Sequence, residues 1–213
     1  VNGKVDKKAL PKVMIGATGD VNGEKVGPRD EIEGVIVSVF ERVSGAVGVG
    51  IDFRDGDLAL RGNFATLDHE GKIIDRRAGR KIEREDAEKI SNEIEKKIRF
   101  SNPNTSVVVA PTIGHRIIVR LRNSKPLSSE ITNTDPAYAR MDGMGIAKAV
   151  TDFMKIEKCI PLEQTKNATD AANLVNEFTE QSLEIMKKSD VNKQRSEKNK
   201  KLLNSILLRD AGN

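Results

Sequence analysis

Among its 213 residues the chain has no tryptophan, one tyrosine, one cysteine and two histidines. Each shortage excludes something. A single thiol, Cys159, rules out an internal disulfide framework and fits a reducing, cytoplasmic setting. Its neighbours Ile160 and Pro161 suggest a buried or loop position, and no histidine lies near it in sequence to activate it as a nucleophile. Aromatic residues are 3% of the chain, too few for a surface that stacks bases. The net charge of +4 is too mild for a nucleic-acid footprint. No apolar run approaches the roughly 20 residues that cross a bilayer, and no signal-peptide pattern opens the chain. Neither a nucleic-acid nor a membrane partner is expected. What is present is 37% hydrophobic and 32% charged, enough for a modest core of Ile, Val, Leu and Ala.

Two pieces differ in character. Residues 1 to about 27 carry turn signals at Gly19-Asp20 and Asn22-Gly23 and read as a linker or loose hairpin. Asp30 then looks like an N-cap with Glu33 three residues on. Ile32, Val35, Ile36, Val39, Phe40 and Val43 follow at spacings of three and four, which predicts an amphipathic helix ending at Ser44-Gly45. The domain division expected is 1–45 and 46–213.

The second piece opens on Gly56-Asp-Leu-Ala-Leu-Arg-Gly-Asn-Phe-Ala-Thr66. Leu58, Leu60 and Phe64 alternate with Ala59, Arg61, Asn63 and Ala65, so a strand with one apolar face is predicted, and Arg61 and Asn63 share the other face. Asp68-His-Glu-Gly71 has hairpin length, and Lys72–Arg76 returns. Arg76, Arg77 and Arg80 then place three guanidinium groups within five residues. Arginine's planar fork suits a phosphate or carboxylate, which makes this hairpin a candidate anion site.

Further on, residues 82–98 predict a helix with stripe Ile82, Ala87, Ile90, Ile94, Ile98. Residues 106–110 predict a short strand, and 117–122 another. In the latter Ile117, Val119 and Leu121 face inward, while Arg116, Ile118, Arg120 and Arg122 face outward. His115-Arg116, after Gly114, could orient an anion. Asp135, before Pro136, is held extended and presents its carboxylate. Residues 139–167 read as an irregular excursion. Thr169 or Asn167 is expected to cap a long helix through Lys188. Lys193–Lys201, containing Arg195, reads as a solvated basic face, and Ser205–Leu208 as a last short strand ending at Arg209. The order predicts an α+β fold, a mixed or largely antiparallel sheet with helices packed on one face.

Two resemblances follow. Asn2-Gly-Lys-Val-Asp-Lys-Lys-Ala-Leu-Pro11, then Gly27-Pro-Arg-Asp-Glu-Ile-Glu33, resembles an adenylation-to-carrier junction of a nonribosomal peptide synthetase. That resemblance implies an acyl-adenylate contact for Lys4. No carrier chemistry is expected, because Asp55-Gly-Asp-Leu58 stands where a carrier has its attachment serine. From about Ala46 onward the chain resembles the archaeal-type cofactor-independent phosphoglycerate mutases of the alkaline phosphatase superfamily. The motifs are residues 56–66, Asp75-Arg-Arg-Ala-Gly-Arg80, Pro111-Thr-Ile-Gly-His-Arg116, Thr134-Asp-Pro-Ala-Tyr138, Val191-Asn-Lys-Gln-Arg195 and Leu207-Leu-Arg-Asp-Ala-Gly212. Ala137 stands where that family usually has His, and Asp210 where it usually has Gly.

This second resemblance implies a glycolytic and gluconeogenic isomerase that interconverts 2- and 3-phosphoglycerate through a serine nucleophile and two divalent metals, manganese or magnesium. The chain looks like the inserted substrate-gripping domain alone. Its core's metal ligands and nucleophile motif are absent from the sequence, and His69 and His115 are too few for such a centre. No catalytic residue, bound metal or cofactor is therefore expected of this chain, and a missing catalytic core is its expected partner. Arg76, Arg77 and Arg80 would hold phosphate or carboxylate, and Asn63, His115, Arg116 and Asp135 would orient the glycerate. The alternative is a non-catalytic interaction module or inert fragment of a synthetase fusion.

Overall fold

The computed structural model describes residues 50–141, 144–148 and 154–213 and, before them, the backbone of 12–14, 19–21, 24–26 and 31–33; side chains of 140–147 are not included. The chain divides into two compact units, Val1–Glu41 and Arg42–Asn213.

In the first unit β1 (Lys12–Met14) pairs antiparallel with β4 (Glu31–Glu33), and β2 (Gly19–Val21) with β3 (Glu24–Val26). The start of the predicted helix is therefore corrected to strand. Val13 stands opposite Ile32 in the ladder, and both are β-branched residues that favour extended backbone over helix. Residues 34–43 of that helix, and the synthetase-like motif at 2–11, lie outside the described residues.

The second unit is α+β. Its five-stranded antiparallel sheet has the order β11 (Ser205–Gly212), β5 (Leu58–Leu67), β8 (Arg116–Arg122), β7 (Ser106–Pro111), with β6 (Ile73–Asp75) paired to the far end of β5. Period two along β5 sends Leu58, Leu60 and Phe64 into one core with Ile117, Val119 and Leu121 of β8 and Ile206 and Leu208 of β11. Helix α1 (Arg84–Lys97) adds Ile90 and Ile94, and helix α2 (Lys166–Lys187) adds Val175 and Phe178 to the same core. Gly62 has to be glycine in this layer, because a Cβ there would lie 2.7 Å from Ile117 Cγ1. The opposite face carries Ala59, Arg61, Asn63 and Ala65 of β5 beside Arg116 of β8 and Leu207 and Arg209 of β11.

Several expectations need correction. Arg120, expected to face solvent, is buried, and its Nη1 donates to Ser106 Oγ at 3.1 Å. Its face of the sheet is covered at that point. The cap of α2 is Thr165, whose Oγ1 accepts from Ala168 N at 3.2 Å; Thr169 lies inside the helix and donates back to the Thr165 carbonyl. The supposed irregular excursion contains a hairpin of β9 (Tyr138–Met141) and β10 (Met144–Ala147). Beyond it Cys159 is buried, its backbone bracketed by both ends of the Asn176 amide. The basic segment after residue 190 begins as helix α3 (Asp190–Glu197), and its Arg195 is buried rather than solvated. The last strand runs on to Gly212, with an irregularity between Arg209 and Gly212.

Candidate functional site

The site grows from the hairpin β5–β6. The Asp75 carboxylate ends β6 by accepting from Arg77 N at 2.8 Å and Gly79 N at 2.9 Å. Those two bonds curl the chain into a left-handed turn, with φ of 43° at Ala78, 80° at Gly79 and 66° at Arg80. Left-handed backbone costs a non-glycine residue about 1–2 kcal/mol, so the turn is held by its surroundings. Ala78 is buried in the main core. Gly114, itself at φ 61°, lies so close that a Cβ would be 2.6 Å from the Arg80 carbonyl oxygen. The His115 ring lies near the Arg80 backbone, and the His115 carbonyl accepts from Phe64 N at 2.8 Å. Two segments far apart in sequence, 75–80 and 111–116, are thereby clamped together.

Behind the turn sits a buried hub. Asp135 is fully buried, and Arg76 Nη2 donates to both its oxygens at 2.7 Å. Arg209 Nη1 approaches the same carboxylate at 3.5 Å. Both guanidinium groups lie over the ring of Tyr138, at 5.3 Å for Arg76 and 4.6 Å for Arg209. Asn63, with its amide turned to suit its neighbours, accepts from Arg209 Nη1 at 3.1 Å and donates to the Gly62 carbonyl. The hub joins β5, β6, β11 and the 133–138 segment.

The predicted residues therefore sort into two groups. Arg76, Asn63 and Asp135 are engaged with one another through Arg209. Arg77, Arg80 and Arg116 line the clamped turns, and their guanidinium groups have no hydrogen bond or ion pair among the described residues. His115 borders this second group. Its imidazole is held below the usual histidine range, first by burial and then by the positive charges of Arg77, Arg116 and Arg209. At neutral pH its ring is uncharged beside the guanidinium groups of Arg77 and Arg116.

Arg209 and Tyr138 were not among the sequence candidates. The sequence held a partial signal for Arg209, since it ends the last apolar strand and period two puts it on the face of Leu207. Nothing in sequence shows that β11 is the neighbour of β5, which is what brings Arg209 opposite Arg61. Among the described residues no three His, Cys, Asp or Glu side chains are grouped to hold a metal ion, and no helix is long and apolar enough to cross a membrane.

Comparisons with known proteins agree with one another. Residues 43–192 match the family model of 2,3-bisphosphoglycerate-independent phosphoglycerate mutase. A protein of that name from Aeropyrum pernix is 41% identical over 170 residues, which cover 78% of this chain and 39% of the relative. One from Archaeoglobus fulgidus is 36% identical over 172 residues, covering 78% and 37%. Among solved structures, the cofactor-independent phosphoglycerate mutase from Thermoplasma acidophilum superposes with a TM-score of 0.63 at 29% identity, over 78% of this chain and 40% of that one. The chain spans about two-fifths of the length of the relatives it matches.

Proposed function

Because this chain belongs to the family of 2,3-bisphosphoglycerate-independent phosphoglycerate mutases, we propose that its arginine-lined turns are the substrate grip of such an enzyme. They would hold phosphoglycerate while a phosphoryl group passes between its 2- and 3-hydroxyls. The observation that carries the reading is the sorting of the arginines. Among the described residues Arg77, Arg80 and Arg116 keep unpaired guanidinium groups, on backbone clamped by Asp75 and Gly114. Guanidinium forks suit a phosphate or carboxylate, and the fixed backbone lowers the cost of bringing them together. Neutral His115 sits where it could hydrogen-bond a glycerate oxygen without adding charge. Arg76 and Asp135 then act from behind: Asp135 spends both oxygens on Arg76, so it positions the arginines and does not itself hold glycerate. Asn63 likewise orients Arg209.

The transfer chemistry is assigned to the portion of the relatives that this chain does not match. The resemblance implies a serine and divalent manganese or magnesium there. The described residues offer no donor set that fits such a metal. Alone, the chain should bind phosphoglycerate and leave its isomers unequilibrated.

The test is calorimetric titration of 3-phosphoglycerate into the full chain. Arg77→Ala should weaken binding by about tenfold or more, the loss of one charge-assisted contact. Its melting temperature should stay within a degree or so, since that guanidinium supports nothing in the fold. If Arg77→Ala and Arg116→Ala both bind as well as the parent, the grip lies elsewhere.

A further inference from the structure

On a regular strand, neighbouring residues point to opposite faces of the sheet. Arg209 and Asp210 of β11 break that rule. The ladder between β11 and β5 slips between Arg209 and Gly212, and Asp210 takes a left-handed φ of 55°. Its backbone N–H is held by Asn133 Oδ1 at 3.0 Å, and the same Asn133 donates to the Tyr138 carbonyl at 3.2 Å. A bulge of this kind re-aims a side chain. Here it carries the Asp210 carboxylate back to its own neighbour, 3.4 Å from Arg209 Nε and 4.0 Å from Arg61 Nη1. Arg61 and Arg209 stand directly opposite each other on β5 and β11, a like-charge pairing that is unfavourable without an anion between. The carboxylate is 14% exposed and Arg209 12%, whereas Arg61 is 37% exposed. The acid thus closes the buried end of an arginine pair whose outer end opens to solvent, beside Arg116 and His115.

We propose that Asp210 is an internal anion that competes with the ligand for the Arg61–Arg209 pair and so sets the charge the site requires of it. The inference rests on the reading of this face as a phosphoglycerate grip. Exchanging one carboxylate for another gains nothing. A phosphate carries close to two charges at neutral pH, presents three acceptor oxygens, and outbids Asp210 for the arginines. The site as built therefore selects phosphorylated acids over plain hydroxy acids of the same carbon skeleton.

Titrating 3-phosphoglycerate and glycerate separately into the full chain and into Asp210→Asn tests this. Asparagine tolerates the left-handed backbone, so the variant keeps the bulge while losing the charge. Asp210→Gly supplies a second variant that relieves the backbone and removes the side chain altogether. The parent should bind phosphoglycerate and not glycerate. Both variants should bind phosphoglycerate roughly two- to fivefold tighter, as expected for release of one partly exposed charge pair, and glycerate binding should appear. If the parent binds phosphoglycerate and both variants bind it equally or more weakly, Asp210 is no competitor, and the grip itself stands. If parent and variants all fail to bind, the grip reading fails and the role of Asp210 goes with it.

Discussion

Replacing Asp135 with alanine should destabilise the second unit by about 3–5 kcal/mol, the usual cost of leaving buried charge without its partner. The carboxylate is fully buried and is the only acid in contact with Arg76 among the described residues. It also accepts from Ala137 N at 3.1 Å. Without it, Arg76 would share the Tyr138 ring with Arg209 and have no acid of its own, and its Nε is already buried without a hydrogen-bond partner. Urea denaturation followed by circular dichroism would read the loss. Asp135→Asn should recover part of it, because the amide oxygen can still accept from Ala137 N. A cost below about 1 kcal/mol for the alanine variant would mean that the hub is incidental to the fold.

Arg195→Ala should cost about 3 kcal/mol, from the loss of its charge-assisted hydrogen bonds and of a buried side chain's packing, although Arg195 lies in a segment that reads as solvated. Its Nε donates to the Lys201 carbonyl at 2.8 Å, and its Nη1 reaches Glu83 at 3.0 Å and Asp86 at 2.7 Å. One side chain therefore ties α3, the turn before β11 and the start of α1. Lys201 also lies against Gly79, where a Cβ would be 3.5 Å from its Cγ, so loosening this tie should reach the arginine turn. The Glu83 carboxyl is pulled down to about 2, first by Lys200, with Arg195 contributing further. A carboxylate with a depressed pKa contributes stability above its ordinary range and loses it as pH falls toward the lowered value. The penalty of Arg195→Ala should accordingly be full at neutral pH and shrink between pH 5 and pH 2. Stability equal to the parent at pH 7 would rule the tie out.

What could be read from sequence was what period and spacing determine. The alternation from Leu58 to Ala65 placed Arg61 and Asn63 on one face, and the structure keeps them there. Stripes at three and four gave the core faces of α1 and α2. The failures have one physical origin. Sequence periodicity says which face a residue shares with its neighbours along the chain, and it is silent on what is packed against that face. Arg120 and Arg195 read as solvated because they are charged, and both are buried, Arg120 against Ser106 of the neighbouring strand and Arg195 against the distant Glu83 and Asp86. The arginine run at 76–80 drew notice as one cluster. Only the pairing of β11 with β5 and the burial of Asp135 separate Arg76, which is tied down, from Arg77 and Arg80, which are not. The strand at 31–33 shows the same limit, since a capping pattern at Asp30 carries no information about a partner at 12–14.

The most direct measurement is a proton NMR titration of the His115 ring with and without saturating 3-phosphoglycerate. Only His69 and His115 contribute ring signals, and His115→Gln assigns them. In the free protein His115 should titrate below the usual 6.5, held down by burial and by Arg77, Arg116 and Arg209. An anion seated among those arginines offsets their charge, so the pKa should rise on binding. That shift favours binding at lower pH through His115, while protonation of the phosphate itself at about pH 6 opposes it, so the histidine shift is the quantity to read. An upward shift that Arg77→Ala abolishes is the expected result. A His115 titration unchanged at saturation would contradict the account, because the bound phosphate would then lie away from Arg77, Arg116 and His115.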